Sequence, residues 1–166
     1  MPDGKTHLRL RKESRPVAWT IIALVEIVLT LYYQKFTYLT ILFPLLTVVG
    51  YEMGDLLSPD LDQIGVSNSE ALMMRRLGPL GALWAGYFML YAYLIRFIGG
   101  HRSFWSHSPF IGTGIRLVYG TWFMWLGLWW YRVIPDPTLY MSMVSIWLGL
   151  SLSDGVHWLA DIEDTK

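Results

Sequence analysis

Apolar residues gather in five runs separated by polar breaks: Val17 to Tyr33, Tyr38 to Leu57, Leu77 to Ile98, Phe110 to Trp130 and Leu139 to Leu159. A hydrocarbon core of about 30 Å takes roughly 20 helical residues, so each run is long enough, or in the first case nearly so, to cross a bilayer. Gln34 to Thr37 and Tyr131 to Thr138 are brief, turn-like connectors, the second carrying Pro135 and Pro137, and each closes a helical hairpin. Leu77 to Ile98 differs: it contains Pro79, Gly81 and Gly86 and includes Arg96 near its end, which suits a bent interfacial or re-entrant element. The pattern predicts an all-α fold, an integral membrane helical bundle of four spanning helices in two hairpins plus one interfacial or re-entrant helix. It forms one membrane domain over 1–166: a basic arm at 1–16, a first hairpin at 17–57, motif loops at 58–108 with the interfacial helix at 77–98, a second hairpin at 109–159 and a tail at 160–166.

Composition agrees with a membrane location. Hydrophobic residues make up 54% of the chain against 16% charged, and the mean hydropathy of +0.37 exceeds that of ordinary soluble domains. Nine Trp and ten Tyr suit aromatic belts at the two interfaces. Lys plus Arg and Asp plus Glu balance at 13 each, so no basic face recommends nucleic acid and no acidic tail recommends a cationic partner. What carries information is where the cations stand. With 77–98 outside the bilayer, Lys5, Arg9, Arg11, Lys12, Arg15, Arg75, Arg76, Arg96, Arg102 and Lys166 share a side with both termini, while Lys35 and Arg132 lie opposite. The positive-inside rule makes the first side cytoplasmic. The apolar run after the basic arm lacks a small-residue cleavage pattern, so the N-terminus is expected to be retained. Glu26, near the middle of the first span, needs a partner within the bundle. Arg116, inside another span, is the one the pattern offers, unless it snorkels to the interface.

Cysteine is absent, so a metal site must draw on His, carboxylates and water. All four histidines stand beside other polar residues: His7 in Gly4-Lys5-Thr6-His7, His101 and His107 in His101-Arg102-Ser103-Phe104-Trp105-Ser106-His107-Ser108, and His157 in Asp154-Gly155-Val156-His157-Trp158-Leu159-Ala160-Asp161. A single histidine at a membrane surface is ordinarily an interfacial side chain; four in such company weaken that explanation. Asp154, His157 and Asp161 share one helical face and can present two carboxylates and an imidazole to one ion. Gly99 and Gly100 open a loop that folds His101 back, and Ser106 or Ser108 can cap the next helix, with Pro109 in its first turn. Asp60 and Asp62, beyond a helix end at Pro59, can both point at a metal, or one can orient a ligand histidine. Thiolate-free ligands of this kind favour zinc, manganese or iron over copper.

In order and approximate spacing, Thr6-His7, Pro59-Asp60-Leu61-Asp62, the His101 to Ser108 element and His157-Trp158-Leu159-Ala160-Asp161 resemble the YdjM-like membrane-bound metal-dependent hydrolases. The similarity is greatest to a branch common in cyanobacteria, described as metal-binding proteins of unknown function. Met1-Pro2-Asp3-Gly4-Lys5-Thr6-His7 resembles the opening of that branch as well. The resemblance runs from residue 7 to 161 and implies a metal site of His7, Asp60, Asp62, His101, His107, His157 and Asp161. It implies a divalent cofactor, zinc or manganese foremost, and a bacterial or cyanobacterial inner or thylakoid membrane. Leu8 and Gln63 depart from the pattern, standing where relatives often carry an acidic residue and a histidine. A site without those groups has room for one metal where others hold two, or holds it more weakly.

Two classes of function are open on these residues. In the first, a hydrolase at the cytoplasmic membrane face acts on a phosphoester, with membrane lipid as the natural substrate. A carboxylate left uncoordinated, Asp62 foremost, serves as general base, and Arg102 clamps an anionic group. Ser103, Ser106 and Ser108 are caps and supporting donors rather than nucleophiles, since no third group completes a triad. In the second, the metal is structural and ties the hairpins together, or the chain assembles with another membrane protein or with copies of itself. An open coordination position facing a groove separates a catalytic ion from a structural one.

Overall fold

The computed structural model describes residues 4–33, 38–100 and 103–163, and the regular elements among them are all helical. They are α1 (Gly4–Tyr33), α2 (Leu39–Met53), a 3-10 turn (Pro59–Asp62), α3 (Asn68–Leu77), α4 (Pro79–Ile98), α5 (Phe104–His107), α6 (Ile111–Trp130) and α7 (Pro137–Glu163). α1 is helical from Gly4, runs from the basic N-terminal segment into the first apolar run and contains Pro16.

α2 packs most extensively on α7, and the two run parallel. Gly50 abuts the Ile146 carbonyl and Gly149 the Thr47 carbonyl so closely that a methyl group at either glycine would collide with backbone. Small residues at such a seam let two helix backbones approach. α1 lies antiparallel to α2, tied by Ser14 Oγ to Tyr51 Oη at 2.8 Å and by Arg15 Nη2 to Glu52 Oε2 at 2.8 Å. α6 and α7 form an antiparallel hairpin, with Trp125 stacked on Tyr140 near its turn, ring centroids 5.9 Å apart. Asp136 starts α7, its carboxylate accepting from the backbone N–H of Thr138 and, at 3.3 Å, of Leu139. Because α2 and α7 point the same way, the 3-10 turn after α2 and the last turns of α7 meet at one end of the bundle.

Two features differ from the sequence-predicted architecture. Where the pattern predicts loops, α3 forms, held by a capping box: Ser67 Oγ accepts from Glu70 N at 3.2 Å and Glu70 Oε2 from Ser67 N at 2.6 Å. Where it predicts a bent or re-entrant element, α4 is one helix, with Pro79 at its first turn, a position where the missing N–H costs nothing. Among the described residues, α4 and Pro137–Ile162 of α7 are the two helices long and apolar enough to cross a membrane, with mean hydropathies of 1.3 and 1.2. By this measure two helices qualify where the pattern predicts four spans, and α4, which the pattern leaves outside the bilayer, is one of them. α6 has the length, but Arg116 and four tryptophans lower its hydropathy.

The apolar core lies between α4, the 3-10 turn and α6: Leu61, Phe88, Tyr91 and Ile95 are buried together, with Ile115 and Tyr119 against them. Tyr87 and Tyr119 exchange hydroxyl-to-carbonyl hydrogen bonds across α4 and α6, and their rings stack at 4.7 Å. α4 stops where Gly100, at φ +80°, turns the chain toward α5.

Candidate metal centre

A 3-10 turn has three residues per turn, so its successive side chains point in three directions. In Pro59–Asp62, Leu61 takes the inward direction and plugs the α4 core with no exposure, which leaves Asp60 and Asp62 to either side of it. Ser58 Oγ caps the turn by accepting from Asp60 N at 3.3 Å. Asp60 reaches α7, its Oδ1 3.6 Å from His157 Nε2. Asp62 reaches α5, its Oδ2 3.4 Å from His107 Nδ1. One apolar anchor thus aims two carboxylates at two imidazoles.

Asp60, His107 and His157 each offer a ligand atom, and the three atoms lie within 4.8 Å of one another. Metal–ligand bonds of about 2.0–2.2 Å allow ligand atoms roughly 3.4–4.2 Å apart, so small side-chain rotations bring all three onto one ion. The His107 and His157 ring centroids are 6.3 Å apart and the planes inclined by 61°, an arrangement in which two imidazoles converge rather than stack. Asp161, one turn beyond His157, lies 3.7 Å from its Nε2 and adjoins the triad from the α7 side. The donor set is two imidazoles with carboxylate oxygens, a combination that suits a divalent metal ion.

Asp62 is withdrawn behind His107, with no side-chain exposure. Its carboxylate and the Ser106 hydroxyl, 3.1 Å away, both face Nδ1 of that ring. Such partners fix the tautomer and ring orientation of a ligating histidine. On the other side, Gln63 Nε2 donates to Asp60 Oδ1 at 3.1 Å, so the residue that departs from the YdjM-like pattern holds a carboxylate of the cluster. The cluster is not sealed, since the Asp60 side chain is 28% exposed and His157 14%.

One turn deeper in the bundle is a second polar group, which pairs two residues that the sequence pattern assigns to other partners. Arg116 and Asp154, both 1% exposed, pair directly. Arg116 Nη1 donates to the Ser106 carbonyl at 2.6 Å, and Nη2 lies 3.4 Å from Thr113 Oγ1. The Thr113 hydroxyl sits between the Asp154 carboxylate and the Pro109 carbonyl, 2.5 Å from the latter.

Of the seven predicted ligands, the structure therefore gathers Asp60, His107 and His157, sets Asp161 beside His157, and puts Asp62 behind His107. His101 and Arg102 lie outside the described residues, as does the side chain of His7, which falls in α1. Asp154 shares a face with His157 and Asp161 but turns to Arg116, because a bare carboxylate buried there takes the nearest cation. That also answers the expectation for Arg116: its partner among the described residues is Asp154, and the side chain of Glu26 lies outside them. The signal for the pair was the hairpin itself, since Arg116 and Asp154 stand at nearly equal distances from its turn. Ser106 and Ser108 do not cap α6 through their side chains; α6 begins at Ile111 after Phe110, and Ser108 contributes its carbonyl to Gly112 N at 3.0 Å.

The chain belongs to the family described as uncharacterized metal-binding protein (DUF2227), whose model matches residues 2–166. No curated protein and no solved structure matches it.

Proposed function

On that membership and this geometry, we propose that the protein is a membrane-embedded, divalent-metal-dependent hydrolase acting at the cytoplasmic face on a phosphoester, in the first instance that of a lipid. The observation that carries the metal half is the convergence of Asp60, His107 and His157, three residues from distant motifs, within 4.8 Å. The partial exposure of Asp60 and His157 favours an open, catalytic position over the closed shell of a structural ion. The hydrolytic half rests on the motifs' resemblance to YdjM-like hydrolases alone, since the family that matches is described as metal-binding.

His107, His157 and Asp60 hold the cation, zinc or manganese, with Asp161 beside them. Once bound, such a cation supplies Lewis acidity toward a phosphoryl oxygen and acidifies water toward a pKa of about 7. Asp62, buried behind His107, keeps that ring oriented, so the general-base role given to it on the sequence passes to Asp161, 16% exposed beside His157. Arg102 follows His101 in the sequence and is assigned to the anionic group of the substrate.

The membrane half rests on the two apolar helices and on exposed apolar surface elsewhere, such as Leu31 on α1 and Val118 and Phe123 on α6. At the turn opposite the metal end, Trp129, Trp130 and Tyr131 are exposed, as an interfacial belt would be. In this reading both hairpins span and α4 lies at the interface, which puts both termini and all the motifs on the cytoplasmic side.

Two experiments test the reading. Protein purified in detergent should carry stoichiometric zinc or manganese and cleave members of a phosphoester panel, with activity lost to chelator and restored by the metal. Metal-loaded protein inert across phosphomonoesters, phosphodiesters and phospholipids would return the ion to a structural role. Because the chain has no cysteine, Lys35→Cys and Asp164→Cys give single labelling sites, expected to react from opposite sides of sealed vesicles. Labelling from the same side removes the two-hairpin topology.

A further inference from the structure

The Arg116 guanidinium touches both halves of the candidate site without belonging to it. One of its nitrogens holds the carbonyl of Ser106, the residue before His107; the other holds Asp154, one turn before His157 on α7. We propose that Arg116 and Asp154 form a positioning clamp that fixes the separation of His107 and His157, and thereby sets the affinity and geometry of the metal site. The clamp rests on the metal-centre reading given above.

α5 spans four residues, too short to hold its own conformation, so the place of His107 depends on what grips its backbone. Two contacts from α6 do so. Arg116 donates to the Ser106 carbonyl, and Gly112 lies so close under that carbonyl that a methyl group there would collide with it. His157 is placed by α7, and at the site end of the α6–α7 hairpin Thr113 and Arg116 bond across to Asp154. The distance between the imidazoles is therefore spanned by one chain of contacts: His107, the Ser106 carbonyl, Arg116, Asp154, and one turn of helix to His157. A planar fork that directs two N–H groups apart can make this span, whereas an ammonium is a single point. Arg116→Lys keeps a charge opposite Asp154 while giving up the Ser106 carbonyl.

A pair that only stabilised the fold would behave differently under substitution. Replacing a buried ion pair by apolar side chains of similar size is often neutral or stabilising. Arg116→Met with Asp154→Leu should then leave the bundle intact, and an unchanged metal site would follow if the pair did nothing more. The clamp predicts an intact bundle with a loosened site.

The test uses the full chain in detergent, with Co2+ as a spectroscopic probe. Dissociation constant and visible absorption are compared for the unsubstituted protein, Arg116→Lys, the Arg116→Met/Asp154→Leu double variant and His157→Ala, while helicity and metal-free thermal unfolding report the fold. The expected result is a folded Arg116→Lys and a folded double variant whose Co2+ affinities fall by about 10- to 100-fold, the range seen when partners of metal ligands are removed. Their absorption bands should shift, and His157→Ala should lose the bound species. Either folded variant with unsubstituted affinity and spectrum overturns the clamp alone. Absence of Co2+ binding by the unsubstituted protein, or binding indifferent to His157→Ala, overturns the metal centre and the clamp together.

Discussion

Asp154 and His157 stand one turn apart on α7 and meet their partners in opposite ways. Asp154 touches Arg116 directly, with both side chains shut away from solvent and Thr113 filling in beside them. His157 faces Asp60 at 3.6 Å and Asp161 at 3.7 Å, in a place that solvent still reaches. Opposite charges with no obstacle between them close to contact, as Arg116 and Asp154 have done. His157 sits at ion-pair distance from both Asp60 and Asp161, close to the spacing of ligands around an ion. One turn of a single helix thus separates a shut-in ion pair from a solvent-reached cluster with the spacing of metal ligands.

Breaking the closed pair on one side should have the largest effect. Arg116→Met leaves the Asp154 carboxylate buried without its cation and is expected to destabilise the protein by about 3–5 kcal/mol in a denaturation measurement. Adding Asp154→Leu should recover most of that loss, because the uncompensated charge goes with it. A single variant as stable as the parent would show that the pair is not desolvated, and the contrast with the His157 cluster would lapse.

The open cluster should answer to metal rather than to denaturant. His107→Ala and His157→Ala each remove a ligand and are expected to weaken metal binding by at least about 100-fold, equivalent to roughly 2.7 kcal/mol. Their metal-free unfolding should move much less than that of Arg116→Met. Equilibrium dialysis followed by elemental analysis measures the first, and thermal melts with chelator the second. Asp62→Asn sharpens the comparison, since Asp62 touches His107 and not the proposed ion. Its expected cost in metal affinity is about 10- to 100-fold, smaller than for either histidine. A loss as complete as that of His107→Ala would make Asp62 a direct ligand instead.

The far end of α7 gives the smallest effect and serves as a control. Asp136 is fully exposed, and its hydrogen bonds from Thr138, side chain and backbone, and from Leu139 hold its carboxyl below the ordinary carboxylate range. A lowered folded-state value contributes stability that is present above the unfolded value and is lost as pH falls through the folded one. Asp136→Ala should therefore lower the melting midpoint slightly at neutral pH, with the difference fading in acid, while metal binding stays unchanged. A change in metal binding there would mean that the two ends of the bundle are coupled.

The contrast on α7 was only half legible in the sequence. The positions of α6 and α7 follow from their apolar runs, because a helix of about 20 apolar residues leaves little room for another reading. His107 and His157 stood out because each sits in a polar motif where the composition is otherwise apolar. The partition of the acids was not legible: Asp154, His157 and Asp161 share a helical face, and spacing along α7 does not say which neighbour on another helix each will meet. Asp60 and Asp62 were likewise equivalent until Leu61 anchored the turn and sent them apart. α3 escapes the apolar pattern although Ser67 and Glu70 carry its start signal, because a short polar helix shows no apolar run. For α4, Pro79, Gly81, Gly86 and Arg96 together suggest a bent element, but Pro79 falls at a first helical turn, where it breaks nothing.

The central claim is that Asp60, His107 and His157 share one ion, and X-ray absorption at the edge of the bound metal tests it most directly. The predicted spectrum has two imidazole nitrogens and at least one carboxylate oxygen at about 2.0–2.2 Å, with one imidazole lost in His107→Ala and one in His157→Ala. A shell without imidazole, or one that either substitution leaves intact, would contradict it.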